Sequence, residues 1–182
     1  MVLSGANGSG KTTFARILAT LLPPDDGEVS LDDVPIGERR AAARRAIGFT
    51  SHQALLYAAL TPLENLEFFG RLAGVIKART KAGALLARFG LSPFADVPIT
   101  HFSRGMLQRV TLCRAFLHEP RFLILDEPYS GLDTEGSAAL DSLLSEAIGR
   151  GAAALLVGHD AERSTSRATR SLRLSRGRVE AA

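Results

Sequence analysis

The chain has 182 residues and a formal net charge of +3, from 22 basic and 19 acidic side chains. Its 46% apolar and 23% charged residues are typical of a folded globular domain and argue against a disordered chain. No apolar run reaches the ~18 residues that a membrane-spanning helix needs, and the length favours one compact domain. The single cysteine, Cys113, excludes an internal disulfide and fits a reducing compartment, and the four scattered histidines lack the spacing of a zinc site.

The positive charge is concentrated in the middle of the chain. Residues 55–118 carry eight basic and three acidic side chains, whereas residues 1–54 are balanced and residues 119–182 have ten acids against eight bases. A basic segment can bind nucleic acid or an anionic lipid surface. Scattered surface charge more often belongs to solvated helix faces, so we expect no nucleic-acid partner.

A glycine-rich motif follows the short apolar stretch 2–4. It has the spacing of a phosphate-binding P-loop, with Gly5, four residues, and then Gly10-Lys11-Thr12. Glycines let backbone N–H groups turn inward around phosphate oxygens, and the loop is expected to open a helix whose N-terminus attracts anions. Lys11 supplies a point charge for the β- and γ-phosphates, and the Thr12 hydroxyl can bind Mg²⁺. The predicted binding residues of this loop are Gly5, Asn7, Gly8, Ser9, Gly10, Lys11, Thr12 and Thr13.

Hydrophobic patterns predict alternating helices and strands in the rest of the chain. Apolar residues at helical spacing predict a helix over 14–22, which Pro23 ends. Thr61 and Glu64 form a capping box with Pro62 at the first helical position, which predicts a helix to about residue 73. Further helices are expected at 39–45, 77–89 and 134–148, strands at 28–31, 47–49, 122–126 and 152–157, and a closing hairpin at 171–178.

Two acids follow a buried strand. Residues 122–125 are apolar, and Asp126 and Glu127 come directly after them. Such a run is typical of a buried parallel strand, and ligands of open α/β sheets bind at the carboxyl edge of these strands. We therefore expect both carboxylates to lie at the ligand-binding edge of the sheet.

The order of these motifs resembles the ATP-binding subunit of ABC transporters over nearly the whole chain. In chain order, the matching positions are the P-loop, the Q-loop glutamine Gln53, the signature segment 102–109, the Walker B segment 122–126 with the adjoining acid Glu127, the D-loop 130–133 and the switch histidine His159. A chance match of all these motifs in this order is negligible.

The resemblance implies a role for each of these positions. Lys11 and the loop amides would bind the phosphates of ATP. The residues implied to hold Mg²⁺, directly or through water, are Thr12, Gln53 and Asp126. Glu127 would polarise the attacking water, and His159 would sense or stabilise the γ-phosphate.

The signature segment departs from the Leu-Ser-Gly-Gly-Gln sequence that is common in the family. Phe102, Arg104 and Met106 replace the leucine, the first glycine and the glutamine. Ser103 and Gly105 are kept, and the resemblance implies that they face the γ-phosphate across a dimer of subunits. We therefore expect a working signature motif.

Two short windows narrow the resemblance to the haem-exporting subgroup that serves cytochrome c biogenesis. Residues 49–57, followed by residues 60–61 and 64–66, are similar to that subgroup, and so is segment 102–109. These windows are far less specific than the ATPase motifs. Haem export therefore stands beside the export of a drug, a lipid or a polysaccharide.

The expected fold is an α/β P-loop fold in a single domain, 1–182. The resemblance implies a mostly parallel core from 1–55 and 119–182, with a helical subdomain inserted at 56–118. The family also has antiparallel strands and an adenine-stacking aromatic before its P-loop, which here begins at residue 5. We therefore expect an incomplete antiparallel edge, weak binding of the adenine base, and a misassigned start codon.

The expected function is ATP hydrolysis that powers a membrane exporter. The implied partners are a transmembrane permease subunit and a second copy of the chain or a related ATPase subunit, at the cytoplasmic face of the inner membrane. The permease would select the substrate. One alternative is a soluble ABC-type ATPase that acts on ribosomes or DNA. Such proteins usually carry two tandem cassettes or long coiled coils, whereas this chain has one cassette and no heptad run. A regulatory module without hydrolysis is disfavoured by Glu127 and His159.

The remaining polar and aromatic candidates are expected to be structural. The histidines without an assigned role are His52, His101 and His118. Cys113 is expected to be a small buried apolar side chain. Phe68 and Phe69 are expected in the core, with the lining of a partner groove as the less favoured alternative.

Overall fold

The computed structural model describes residues 1–31, 34–35, 40–158 and 168–181. The strands are β1 (Val2–Ser4), β2 (Ser30–Leu31), β3 (Val34–Pro35), β4 (Ile47–Thr50), β5 (Phe122–Asp126), β6 (Ala153–Val157), β7 (Ser171–Ser175) and β8 (Arg178–Ala181). The helices are α1 (Lys11–Leu18), α2 (Arg40–Ala46), α3 (Pro62–Leu72), α4 (Ala78–Arg88), α5 (Arg104–Phe116) and α6 (Thr134–Gly149), with short 3₁₀ turns at Ser92–Phe94 and Ile99–His101.

The main sheet is mostly parallel. Within the described residues it has six strands in the order β4-β5-β6-β1-β7-β8, and β2 pairs with β3 in a separate antiparallel ribbon. Among the described strands of the main sheet, only β7 and β8 pair in antiparallel fashion. Strand β1, which precedes the P-loop, is therefore central, and the predicted α/β fold is confirmed.

The sheet separates two hydrophobic clusters because side chains alternate along each strand. Val2 enters one cluster and its neighbour Leu3 enters the other. In β5, Leu123 and Leu125 join the cluster that holds Val2, and Ile124 joins the cluster that holds Leu3. Helix α1 covers the second cluster, and helices α5 and α6 cover the first. The strand that carries the P-loop is thus anchored on both faces.

Helices α3, α4 and α5 lie between β4 and β5 in the chain, and α3 begins at the predicted capping box. The Thr61 hydroxyl accepts a hydrogen bond from Glu64 N, and the Glu64 carboxylate accepts one from Thr61 N. One turn later the buried side chain of Asn65 donates to the carbonyls of Tyr57, Leu60 and Thr61, and accepts from Tyr57 N. These bonds fix the loop before α3 to the helix.

Helix α1 ends earlier than the apolar pattern predicts. It stops at Leu18, and Thr20 adopts the left-handed conformation with φ 62°. The N–H of Leu21 then bonds the carbonyl of Arg16 at 2.9 Å, the bond that closes a Schellman turn. Leu21 and Leu22 are consequently 48% and 40% exposed, so the predicted helix 14–22 is wrong over its last turn.

The closing hairpin forms as predicted. Strands β7 and β8 pair through Ser175 and Arg178, and the two residues between them have φ values of 47° and 75°. Positive φ at both central positions is what a two-residue hairpin turn of this hand requires. Glycine fits the second position without strain.

Two expectations about single side chains have different outcomes. Cys113 is fully buried, as predicted, and burial raises the pKa of its thiol. Phe68, predicted in the core, is instead 39% exposed on α3, next to the exposed Tyr57. No helix among the described residues is long and apolar enough to cross a membrane.

Candidate active site

The carboxyl ends of β1, β5 and β6 meet at one edge of the sheet. The N–H of Glu127 bonds the carbonyl of Val157 at 2.8 Å, and the N–H of Gly158 bonds the carbonyl of Leu3 at 3.2 Å. Each bond continues the pairing of parallel strands beyond their last residues. The P-loop, the two acids at the carboxyl end of β5 and the end of β6 are therefore held side by side, where ligands of open α/β sheets bind.

The P-loop needs glycine at particular positions. At Gly5 a Cβ would lie 2.4 Å from the carbonyl oxygen of Leu174, so only glycine lets the loop leave the sheet this close to β7. Gly8 and Gly10 have φ values of 77° and 101°, which favour glycine. Apart from its two chain neighbours, no described residue lies within 4 Å of a Cβ built at Gly8, so the loop opens to solvent there.

Lys11 is the first residue of α1 and its side chain lies within the loop. Its ammonium group donates to the carbonyls of Gly5 at 2.7 Å and Ala6 at 2.9 Å, and the residue is 9% exposed. The charge is thus held at the centre of the curved backbone. It can approach an anion without a large rearrangement of the chain.

The N-terminus of α1 is prepared for an anion. Gly10 occupies the cap position without a side-chain hydrogen bond, and the first turn holds no acidic residue. The first N–H groups of a helix have no partner within the helix, and the helix dipole favours negative charge there. In addition, the buried hydroxyl of Ser9 has no hydrogen-bond partner among the described residues. A bound phosphate would satisfy both.

Thr12 and Asp126 form the contact between the loop and β5. The Thr12 hydroxyl donates to Asp126 Oδ2 at 2.8 Å, and Asp126 is 3% exposed. Hydroxyl and carboxylate oxygens are donors that fit Mg²⁺, which is usually held by one or two carboxylates together with substrate phosphates. No group of three or more His, Cys, Asp or Glu side chains in the described part of the chain could enclose a metal by itself. A cation here would take its other ligands from phosphate and water.

Glu127 is placed by strained backbone and by a glycine. It has φ 50°, a conformation that costs about 1–3 kcal/mol outside glycine and is found mainly at functional sites. A Cβ on Gly158 would lie 2.6 Å from Glu127 Oε2, so the missing side chain makes room for the carboxylate. The Gln108 side-chain amide donates to the carbonyl of Pro128 at 3.0 Å and supports the turn after Glu127.

Ser103 and Gly105 lie in a second group, at the start of α5. The Ser103 hydroxyl caps the helix by accepting from Met106 N at 3.3 Å. A Cβ at Gly105 would lie 2.5 Å from the carbonyl oxygen of Gly131, so the signature segment packs directly on the D-loop. No hydrogen bond among the described residues joins Ser103 to the P-loop of the same chain.

The D-loop is also tied to α5. Arg109 forms an ion pair with Asp133 and donates to the carbonyl of Phe89 at 2.8 Å. Asp133 caps α6 by accepting from Gly136 N at 2.8 Å. This amide and the Arg109 guanidinium lower the pKa of Asp133, which keeps the cap ionised.

Gln53 and His159 are the two remaining predicted site residues. Gln53 is exposed, three residues beyond the end of β4, and its carbonyl accepts a hydrogen bond from the Ser51 hydroxyl at 3.1 Å. Because Thr50 pairs with Leu125, this loop leaves the sheet beside Asp126. His159 lies outside the described residues.

The structure thus brings Lys11, Thr12, Asp126 and Glu127 together and places Gln53 on the adjoining loop. Sequence reasoning missed the supporting contacts of Gly158 and Gln108. The position of Gly158 directly after a buried strand was the available signal for the first. No sequence signal connects Gln108 to the turn after Glu127.

Comparison with known proteins assigns the family. The family model described as ABC transporter matches residues 1–130. The chain belongs to this family. The chain is therefore an ABC ATPase, and the predicted enzyme class is confirmed.

Several curated ABC proteins resemble the chain over most of its length. The cytochrome c biogenesis ATP-binding export protein CcmA of Pseudomonas fluorescens is 40% identical, over 86% of this chain and 74% of that protein. The daunorubicin resistance ATP-binding protein DrrA3 of Streptomyces coeruleorubidus is 37% identical, over 96% of this chain and 56% of its own length. The Nod factor export ATP-binding protein I of Bradyrhizobium diazoefficiens is also 37% identical, over 91% of this chain and 56% of its own length. The chain spans little more than half of the last two.

Solved ABC structures share the fold. The ATP-binding subunit of an ABC transporter superposes with a TM-score of 0.92 at 30% identity and covers all of this chain and 77% of its own. The ATP-binding cassette MJ0796, dimeric in a post-hydrolysis state with ADP and Pi, superposes with a TM-score of 0.86 at 29% identity, over 99% of this chain and 84% of its own.

The space that Gly158 leaves for Glu127 predicts a defect in ATP hydrolysis. In Gly158→Ala the new Cβ displaces the carboxylate, and a misplacement of about 1 Å can lower turnover by about 10²-fold. We expect kcat to fall by that order while nucleotide affinity is retained. Gly151→Ala is the matched control, because Gly151 also has positive φ (89°) but its Cβ would meet open space. Parent-like kcat in Gly158→Ala would show that this contact does not position Glu127.

Proposed function

We propose that this ABC ATPase is the subunit that energises a membrane exporter. The observation that carries its ATPase chemistry is the convergence of one buried cation, one hydroxyl–carboxylate pair and one strained acid at a single sheet edge, and the export role is supported by relatives that are named as export proteins. These groups are Lys11, Thr12 with Asp126, and Glu127. Phosphoryl transfer depends mainly on such positioning and on electrostatic stabilisation.

The loop binds the triphosphate in this proposal. Lys11 exchanges its bonds to the carbonyls of Gly5 and Ala6 for bonds to β- and γ-phosphate oxygens, and the first amides of α1 complete the cradle. Thr12 and Asp126 provide oxygen ligands for Mg²⁺, and Gln53 adds its side-chain oxygen from the neighbouring loop. When bound, Mg²⁺ would supply positive charge that offsets the negative charge developing on the phosphates during transfer.

Glu127 orients and polarises the attacking water. Its carboxylate is kept at the edge of the sheet by the room beside Gly158 and by the turn that Gln108 supports. His159, which lies outside the described residues, is proposed to contact the γ-phosphate. A carboxylate beside the phosphates accepts the proton that the water loses.

A second copy of the chain, or a related ATPase subunit, completes the site. Ser103 and Gly105 lie against the D-loop and make no hydrogen bond to the P-loop of their own chain among the described residues. In a dimer of two such subunits they would face the γ-phosphate bound by the other subunit. The dimeric state of the cassette MJ0796 supports this arrangement.

The Glu127→Gln variant tests the proposed chemistry. The amide has nearly the same shape but cannot accept a proton, and loss of a general base typically costs 10²–10⁴-fold. We expect hydrolysis to fall by that range while ATP binding persists, so that a dimer accumulates in ATP on size-exclusion chromatography. Glu180→Gln on β8 is the control and should behave like the parent. Parent-like turnover in Glu127→Gln would remove Glu127 from the mechanism.

An exposed aromatic patch supports a permease partner. Tyr57, Phe68 and Leu72 are 52%, 39% and 66% exposed, and the Tyr57 and Phe68 rings pack edge to face at 5.2 Å. Large exposed apolar patches mark interaction sites. We propose that a transmembrane permease subunit docks here and holds the ATPase at the cytoplasmic face of the inner membrane.

Haem for cytochrome c maturation is the proposed substrate to test first. Its support is the similarity to two CcmA proteins, at 40% and 39% identity. The drug-resistance and Nod factor relatives make another export substrate the alternative. The permease determines the choice, because the membrane-spanning helices form the path of the substrate.

The export role predicts that a membrane permease is encoded next to this chain, and co-expression with such a neighbour tests it. We expect a multi-span permease that co-purifies with the chain in detergent, and a large loss of this complex when Tyr57→Ala and Phe68→Ala are combined. Ile148→Ala removes an exposed apolar side chain from α6 and is the matched control, which should leave the complex intact. Equal retention of both variants contradicts docking at this patch, and association with ribosomes instead of a permease contradicts the export role.

A further inference from the structure

Arg114 on α5 holds both ends of the segment that carries Gln53. One terminal nitrogen of its guanidinium donates to the carbonyl of Leu55 at 2.9 Å, and the other donates to the carbonyl of Phe49 at 3.1 Å. The same group lies over the ring of Phe69 on α3, 5.2 Å from the centroid. One side chain thus joins strand β4, the loop after it, and helix α3 to helix α5.

The segment that Arg114 holds is strained. Leu55 has φ 48°, an uncommon conformation for a branched side chain. Strain of this kind persists only where the surroundings determine the backbone, and it is concentrated at functional sites. The bond from Arg114 to the Leu55 carbonyl is one such constraint. Leu55 is also 46% exposed, so apolar burial does not explain its conformation.

Two further contacts involve the same segment. The Thr111 hydroxyl, one turn before Arg114, donates its proton to the carbonyl of Leu107 at 2.8 Å and lies 3.4 Å from the carbonyl oxygen of Ala54, which it touches without a full hydrogen bond. Within the segment, the Ser51 hydroxyl donates to the carbonyl of Gln53 at 3.1 Å. Contacts along 49–55 therefore leave the backbone around Gln53 little freedom while α5 stays in place.

Arginine has a specific role at this position. Burial lowers the pKa of Arg114 to about 10, so the group is still charged at neutral pH. No carboxylate among the described residues forms an ion pair with it. The charge is instead offset by two carbonyls and an aromatic face, an arrangement that suits a planar guanidinium and that a lysine cannot reproduce. A purely structural position would be filled at lower cost by an apolar residue.

We propose that Arg114 is a positioning residue for Gln53, fixing the segment 49–55 to helix α5 and thereby the place of Gln53 beside Asp126. This inference rests on the proposed role of Gln53 in holding Mg²⁺. Ser103 caps the first turn of α5, and Arg114 lies in the last turn of the same helix. Helix α5 therefore sets the position of Ser103 directly and that of Gln53 through Arg114.

A double-mutant cycle in the full chain tests whether Arg114 acts through Gln53. We expect Arg114→Met and Gln53→Ala each to lower kcat by about 10- to 100-fold and to raise the Mg²⁺ concentration for half-maximal hydrolysis. The double variant should match the more impaired single variant within about twofold, since effects that share one route do not add. Arg114→Lys should be less impaired than Arg114→Met.

Binding measurements separate positioning from a general loss of structure. The dissociation constant of ATP in EDTA should stay within about twofold of the parent in Arg114→Met, while that of ATP with Mg²⁺ should rise. Amide hydrogen exchange should accelerate in the segment 50–56 and remain parent-like in α6. Arg88→Met removes an arginine bound to Glu146 on a distant surface and should leave kcat and the Mg²⁺ dependence unchanged.

Each contrary outcome overturns the inference in a recognisable way. Losses of kcat that multiply in the double variant, or an equal loss of ATP affinity with and without Mg²⁺, show that Arg114 does not act through Gln53. If Gln53→Ala is impaired but Arg114→Met has the kcat of the parent, the positioning role of Arg114 is refuted and the proposed role of Gln53 stands. Parent-like behaviour of Gln53→Ala refutes the metal role of Gln53 as well. If Arg114→Met does not fold, the same cycle with Arg114→Lys decides.

Discussion

Backbone hydrogen bonds beyond the ends of three parallel strands hold the candidate site together. The bonds from Gly158 to Leu3 and from Glu127 to Val157 place the starts of three loops within one edge of the sheet. The Thr12–Asp126 contact then joins the helix after the P-loop to β5. Without this alignment the P-loop amides and the two acids, which belong to separate segments of the chain, would lie far apart. The two cores on either side of the sheet keep the strands in place.

Helix α5 organises the residues that lie outside this edge. At its first turn it presents Ser103 and packs Gly105 against the D-loop. Further along, Gln108 supports the turn after Glu127, and Arg114 in the last turn holds the loop that carries Gln53. A rigid-body displacement of this helix would therefore move the signature segment and the Gln53 loop together. That property suits a subunit whose chemistry is coupled to a partner.

The local parts of the site were predictable from the sequence. The P-loop is a contiguous motif whose glycines, lysine and threonine each answer a local physical need, and the strand that ends at Asp126 is a contiguous apolar run. The capping box at Thr61 was predictable for the same reason, because all its bonds lie within one turn. The proposed roles of Gln53 and His159 rest on the resemblance to the family, since neither residue has a local signature.

Features set by a local turn or by contacts between separate elements were not predictable from the apolar pattern. Leu21 and Leu22 continue the helical spacing of α1, but the chain turns at Thr20 and leaves them exposed. Phe68 fits an apolar helix face, yet the space beside it is occupied by Tyr57. Likewise, the contact between Gly158 and Glu127 depends on the pairing of β5 with β6.

Equilibrium binding of ATP and AMP, each with Mg²⁺, tests the central claim that this edge recognises the β- and γ-phosphates. Hydrogen bonds to charged groups contribute about 1.5–3 kcal/mol, which corresponds to roughly 10- to 150-fold in affinity. The account predicts that ATP binds at least about tenfold more tightly than AMP, and that Lys11→Ala removes most of this difference. Equal affinity of the parent for ATP and AMP would contradict the account.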